Sequence, residues 1–183
     1  MESRICSSPQ EVDQLHANLK LTPCPHCQKT GFLIKHGFLR GYDPEHQTDK
    51  TVRATRVFCS NRNRATGCGR TFSVWMADKI KFLFLNAESL WNFLTQAVAT
   101  NNKSEAFGNL DCGLSDSAPY RIWKRFLQAQ TAIRTALARL CKPPQLVSDH
   151  PAELTLAHLR QAFQGHALNP IAAFQATLQT FFI

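Results

Sequence analysis

No apolar run in this 183-residue sequence approaches the roughly 20 residues that a membrane-spanning helix needs. The first residues, among them Glu2, Arg4, Glu11 and Asp13, have no long apolar core, so no secretory signal peptide is expected. Low-complexity tracts and internal repeats are missing as well. Tyrosine is scarce, with only Tyr42 and Tyr120, and neither stands beside a histidine pair that would make it a nicking nucleophile. Acidic residues are also few, 13 against 21 Lys and Arg, which leaves a net charge of +8. A basic balance of this size points to a polyanionic partner, with an anionic membrane surface as the duller alternative. The lack of a spanning run and of a signal peptide leads us to expect a cytoplasmic protein with no membrane segment, and a nucleic-acid partner would make it nucleoid-associated. Hydrophobic residues make up 44%, enough to bury a core.

The charge is concentrated. Residues 24–76 hold nine Lys or Arg against three acids, so +6 of the excess falls there. That local density favours a contact with phosphate, and double-stranded DNA is the expected partner.

The same segment holds four of the seven cysteines. An odd count without a signal peptide argues against a disulfide framework. Cys24-Pro25-His26-Cys27 is a tight knuckle, and Cys59 and Cys68 form a second within FCSNRNRATGCGRTF. A short turn presenting two sulfurs is half of a tetrahedral Zn2+ site, so Cys24, Cys27, Cys59 and Cys68 are the predicted ligands. His26 and His36 are the possible substitutes. Strands are predicted over 31–38, 53–58 and 70–75. Gly67 and Gly69 bracket Cys68 and permit the turn. The insert from Ser60 to Gly67 lengthens the second knuckle and carries Arg62 and Arg64 as a basic loop. Cys6, Cys112 and Cys141 have no partner at ligand spacing and read as small buried residues.

The second half is helical. From Asn86, a plain cap, one face carries Leu90, Trp91, Phe93, Leu94, Ala97 and Val98. Ser104 to Phe107 is a short second helix ended by Gly108, followed by a turn over Asn109 to Gly113. A third helix begins near Ser115 or Ser117, with Pro119 in its first turn, and runs to about Gln130. Its inner face is Ile122, Phe126 and Ala129, with Trp123 at the border. Its outer face includes Tyr120, Arg121, Lys124, Arg125 and Gln128. Thr131 to Cys141 continues as helix. Helix, short helix, turn and basic helix is the helix-turn-helix order, and a solvated helical bundle is the plainer reading of the same pattern. After a proline-flanked linker from Pro143 to Pro151, helices are predicted around Ala152–Gln164 and Pro170–Phe181. The apolar end at Phe181, Phe182 and Ile183 either tucks into the core or docks on a partner.

The strings CPHC, GFLIKHGF, RVFC, GCGRTFSV and SDSAPYRIWKRF, in that order, resemble the DNA-binding front end of insertion-sequence transposases. The resemblance covers about residues 20–140. It implies a ribbon and a recognition helix that bind an element's terminal DNA, with a transposase or recombinase as a further partner. The expanded second knuckle departs from the pattern, and no catalytic domain of such an enzyme is expected here.

The fold class expected is therefore α+β: an N-terminal segment with a short helix (1–20), a β zinc ribbon (21–76), a helix-turn-helix-like domain (77–142), then a linker and C-terminal helices (143–183). Strand transfer needs carboxylates gathered on two metal ions. The acids after the ribbon, Asp78, Glu88, Glu105, Asp111, Asp116, Asp149 and Glu153, show no strand-rich setting for that, so no enzymatic activity is expected. The leading reading is a DNA-binding accessory subunit or regulator. Its predicted contacts are Lys35, Arg40, Arg53, Arg56, Arg62, Arg64 and Arg70 in the ribbon, and Ser117, Tyr120, Arg121, Lys124, Arg125 and Gln128 on the third helix. The alternative is a zinc-stabilised adaptor that docks on protein or RNA, or self-associates, through its apolar C-terminal helices.

Overall fold

In the computed structural model the chain is mixed α+β, with a four-stranded sheet and six helices among the described residues. Those residues are 2–43, 46–62, 64–110, 114–145, 148 and 150–183. Asp111, Cys112, Gly113 and Asp149, named above, lie outside them. The chain divides into two compact units, Met1–Lys79 and Ile80–Ile183. No helix among the described residues is long and apolar enough to cross a membrane.

In the first unit the strands are β1 (Ser3–Cys6), β2 (Leu33–Asp43), β3 (His46–Cys59) and β4 (Thr71–Met76), in sheet order β1-β4-β3-β2. The hairpin β2–β3 and the pair β3–β4 are antiparallel, while β1 adds in parallel to β4, Ser3 opposite Ser73 and Cys6 opposite Met76. β4 pairs with β3 only from Ala54 to Phe58, so the stretch from His46 to Arg53 pairs with β2 alone. Gly37 takes φ +135 where the β2–β3 register shifts, a backbone region that side chains disfavour.

The segment before the knuckles contributes to this unit. Helix α1 (Pro9–Ala17) is capped by Ser8, whose hydroxyl accepts from the Glu11 amide, and the Glu11 carboxylate accepts from the Ser7 amide. Its Leu15, with Leu19 just beyond it, joins a buried cluster of Cys6, Leu33, Val57, Phe72 and Val74. Each such burial removes about 1.5–3 kcal/mol of apolar exposure. Cys24 and Cys59 belong to the same cluster, with Cys27 and Cys68 partly buried against it. The knuckles are thus anchored at an end of the core.

The second unit is all helix: α2 (Ala87–Thr100), α3 (Lys103–Gly108), α4 (Ala118–Leu137), α5 (Pro151–Ala162) and α6 (Pro170–Leu178). Asn86, Asn102 and Asn169 cap α2, α3 and α6 by accepting from amides three residues on. The third and continuing helices of the sequence reading are one uninterrupted α4. Ser117 stands at its cap without a side-chain bond, and Pro119 is buried in its first turn. Its inner face is Ile122, Trp123, Phe126, Gln130, Ile133 and Leu137, so Trp123 lies inside rather than at the border. α3 packs against both α2 and α4. Phe182 is buried, stacked on Phe126 at 6.0 Å and edge-on to Phe174 at 5.5 Å.

Candidate metal centre and basic surface

The two knuckles repeat one hydrogen-bonding scheme. In the first, the Gln28 amide donates to the Cys24 carbonyl at 2.8 Å and the Cys24 amide to the Lys29 carbonyl at 3.0 Å. In the second, the Gly69 amide donates to the Cys59 carbonyl and the Cys59 amide to the Arg70 carbonyl, both at 2.9 Å. Gln28 and Gly69, each following the knuckle's second cysteine, take left-handed φ values of 59 and 70. The second knuckle reaches the same geometry despite its insert because the Gly67 amide donates to the Ser60 carbonyl at 3.0 Å. That bond closes the neck of the loop, so Ser60 and Gly67 stand where Pro25 and His26 stand in the first knuckle.

The four ligand atoms of Cys24, Cys27, Cys59 and Cys68 all lie within 4.8 Å of one another. Cys24 Sγ is 3.8 Å from Cys68 Sγ, and Cys27 Sγ is 3.8 Å from Cys59 Sγ. A thiolate tetrahedron with metal–sulfur bonds of about 2.3 Å has edges of about 3.8 Å, so the donor set and its spacing fit a tetrahedral ion. The Cys68 amide also donates to Cys59 Sγ at 3.3 Å, which supports negative charge on that sulfur.

Protonation of the sulfurs is divided. The Lys29 amide lowers Cys27 to about 7, whereas burial pushes Cys59 up to about 12 and also raises Cys24. Only deprotonated sulfur binds a metal, so binding near neutral pH displaces protons from at least Cys24 and Cys59. Affinity should therefore rise with pH. Calorimetric titration of the metal-free protein in two buffers of different ionisation enthalpy is expected to give unequal apparent enthalpies. Equal values would mean that the cluster is already deprotonated.

The histidines are engaged elsewhere. His26 Nε2 lies 3.3 Å from the Thr71 carbonyl oxygen and its Nδ1 is 3.6 Å from a Glu2 carboxylate oxygen. His36 sits at the register shift of β2 with its ring 5.2 Å from that of Phe58. Cys6 is fully buried, and burial pushes its thiol up to about 11. Cys141 is half-buried.

The basic residues of the first unit do not share one face. Lys35 pairs with Val57, a core residue beneath α1, and its charge, after burial, helps lower His16 on that helix. Arg56, one position from Val57, belongs to the opposite face and donates to Thr71 Oγ1 at 3.3 Å. Arg53 donates to the Tyr42 carbonyl at 3.0 Å. Arg40, Arg64 and Arg70 are exposed. Arg62 is exposed too, with its guanidinium 5.3 Å from the centre of the Phe58 ring.

In the second unit Ser117, Tyr120, Arg121, Lys124 and Gln128 are exposed and Arg125 is half-buried. Tyr120 Oη and Ser104 Oγ are 3.0 Å apart, which ties α4 to α3. The sequence reading missed the role of Ser60, and no local pattern announces a neck closed across seven residues. Comparison of the chain with protein families, with characterised proteins and with solved structures yields no match.

Proposed function

We propose that this chain is a zinc-stabilised, non-catalytic DNA-binding protein, acting as an accessory subunit or regulator of the kind that accompanies insertion-sequence transposases. Zinc is the preferred ion because a half-buried four-thiolate tetrahedron suits a metal without redox chemistry or further geometric demands. The observation that carries the DNA reading is the two-sided character of α4. Ile122, Trp123 and Phe126 are buried, while Tyr120, Arg121, Lys124 and Gln128 face solvent without a carboxylate ion pair among the described residues. The packing of α3 on both α2 and α4 supports reading α4 as a recognition helix, the element that such proteins place in the major groove. The docking alternative has less behind it, because Phe182 of the apolar C-terminal end is spent inside the unit.

Selection of bound fragments from random duplex DNA tests this reading, and a discrete motif is the expected result. Arg121, near the start of α4, is the residue best placed to read a guanine, whose two acceptors match its fork. Arg121→Ala should cost about 1–3 kcal/mol on the selected site and much less on random duplex. The fold should survive, because the buried face is untouched. Equal losses on both DNAs, or none, would remove α4 from the role of reader.

The ribbon loop is assigned to the backbone. Arg62→Ala combined with Arg64→Ala should weaken binding to every duplex alike and reduce the salt dependence by a slope of about two. An unchanged slope would mean that the loop points away from DNA.

A further inference from the structure

The second unit holds a cavity of about 390 Å3 beside the first two turns of α4. Phe84, Leu114 and Ile122 give it apolar walls, and Arg121 and Arg125 give it two guanidinium groups. The two arginines are four residues apart, so they lie on one side of the helix. Among the described residues no carboxylate lines the cavity. Arg121 donates to Ser115 Oγ at 3.3 Å, and neither arginine forms an ion pair among the described residues. At the cavity stands Phe82, with φ at 61, a backbone conformation that a bulky residue rarely adopts. Phe82 is 82% exposed. Lys81 adds a third positive charge, its Nζ 5.0 Å from the centre of that ring.

Two cations without an ion pair among the described residues disfavour a purely apolar occupant, and the apolar walls and exposed ring disfavour a plain phosphate. A flat aromatic group joined to a phosphate satisfies both. In a duplex each base is stacked and paired, so only an unpaired nucleotide can offer its face to Phe82. We propose that this cavity takes one unpaired nucleotide of a DNA strand, its base against Phe82 and its phosphate on Arg125, with Arg121 at the lip. The inference rests on the DNA-binding reading and adds strand ends or unpaired positions to what the chain recognises.

Full-length protein can be titrated by fluorescence anisotropy against a blunt duplex and against the same duplex with a two-nucleotide overhang carrying 2-aminopurine. The overhang should bind roughly tenfold tighter, the scale of one base stacked on an aromatic ring, and its emission should change. Phe82→Ala should abolish both effects and leave blunt-duplex affinity and the thermal midpoint unchanged, since the ring is exposed; Phe82→Trp should restore the preference. Equal binding of the two probes by the unaltered protein, or a preference that survives Phe82→Ala, overturns the assignment while leaving duplex binding intact. Failure to bind either probe overturns the DNA reading along with it. Deoxyadenosine monophosphate competing as strongly as the overhang would make this a site for a free nucleotide and overturn the strand proposal.

Discussion

Replacing any one of Cys24, Cys27, Cys59 or Cys68 with serine is expected to abolish stoichiometric metal binding and to unfold the cysteine-bearing end of the first unit. The reason is coupling: the knuckles present sulfurs at tetrahedral spacing only when β2, β3 and β4 are assembled, and the ion in turn joins them. A structural zinc of this type contributes about 10–16 kcal/mol at neutral pH, as much as the whole stability of a small domain. Serine retains the size but not the soft anionic sulfur. Cys24 and Cys59 are fully buried, so their variants should also leave a poorly solvated hydroxyl in the core. Cys6→Ser and Cys141→Ser should keep one metal per chain, because neither sulfur belongs to the cluster. Metal content by emission spectroscopy and the near-ultraviolet circular dichroism of each variant decide the matter. Full metal retention in Cys59→Ser would overturn the ligand assignment. His26 is an unpromising substitute, since its nitrogens lie near the Thr71 carbonyl and Glu2.

The features legible in the sequence are those with a local signature. Asn86 precedes an amphipathic run, and it caps α2 as read. Cys24 and Cys27 are separated by two residues, a spacing that has a direct geometric meaning, and they do cluster with Cys59 and Cys68. The α+β class follows from the switch between strand-like and helical periodicity. Features that depend on distant pairing were not legible. β1 is four residues long, and its partner β4 lies about 70 positions away. The start of β3, from His46 to Thr51, is polar, and it forms a strand by pairing with β2 alone, where no burial pattern is required. The continuation of helix past Gln130 is legible, since nothing between Gln130 and Thr131 marks an end, but α4 stops at Leu137 rather than at Cys141. The cavity at Phe82 escaped notice because its two sides come from residues 82–84 and 114–125. Each side alone looks like an ordinary apolar or basic stretch.

Gly67→Ala should be the most damaging change outside the ligands, and deletion of residues 61–66 should be tolerated. Both expectations come from the closed neck of the second knuckle. A Cβ on Gly67 would stand 2.2 Å from the Ser60 carbonyl oxygen and 2.8 Å from Cys59 Sγ, and these neighbours are backbone and ligand rather than a flexible chain end. The methyl must therefore push Ser60 away, break the 3.0 Å bond that closes the neck, and displace a metal ligand. Overpacking costs about 1–3 kcal/mol and the lost hydrogen bond about 1 more, so metal affinity should fall by at least about tenfold. Gly67 has no left-handed backbone, so the effect is steric. Gly31→Ala is the useful contrast, because Gly31 has φ +88 but open space around its Cβ position and isolates the backbone cost. Competition with a chromogenic chelator should rank Gly67→Ala well below Gly31→Ala in affinity. Joining Ser60 directly to Gly67 produces Cys-Ser-Gly-Cys, with the spacing of the first knuckle, Cys24 to Cys27. If the neck alone sets the geometry, this shortened chain keeps its metal and loses only the phosphate contacts assigned to Arg62 and Arg64. Loss of metal on deletion, with Gly67→Ala unaffected, would show that the loop holds the knuckle together by contacts of its own.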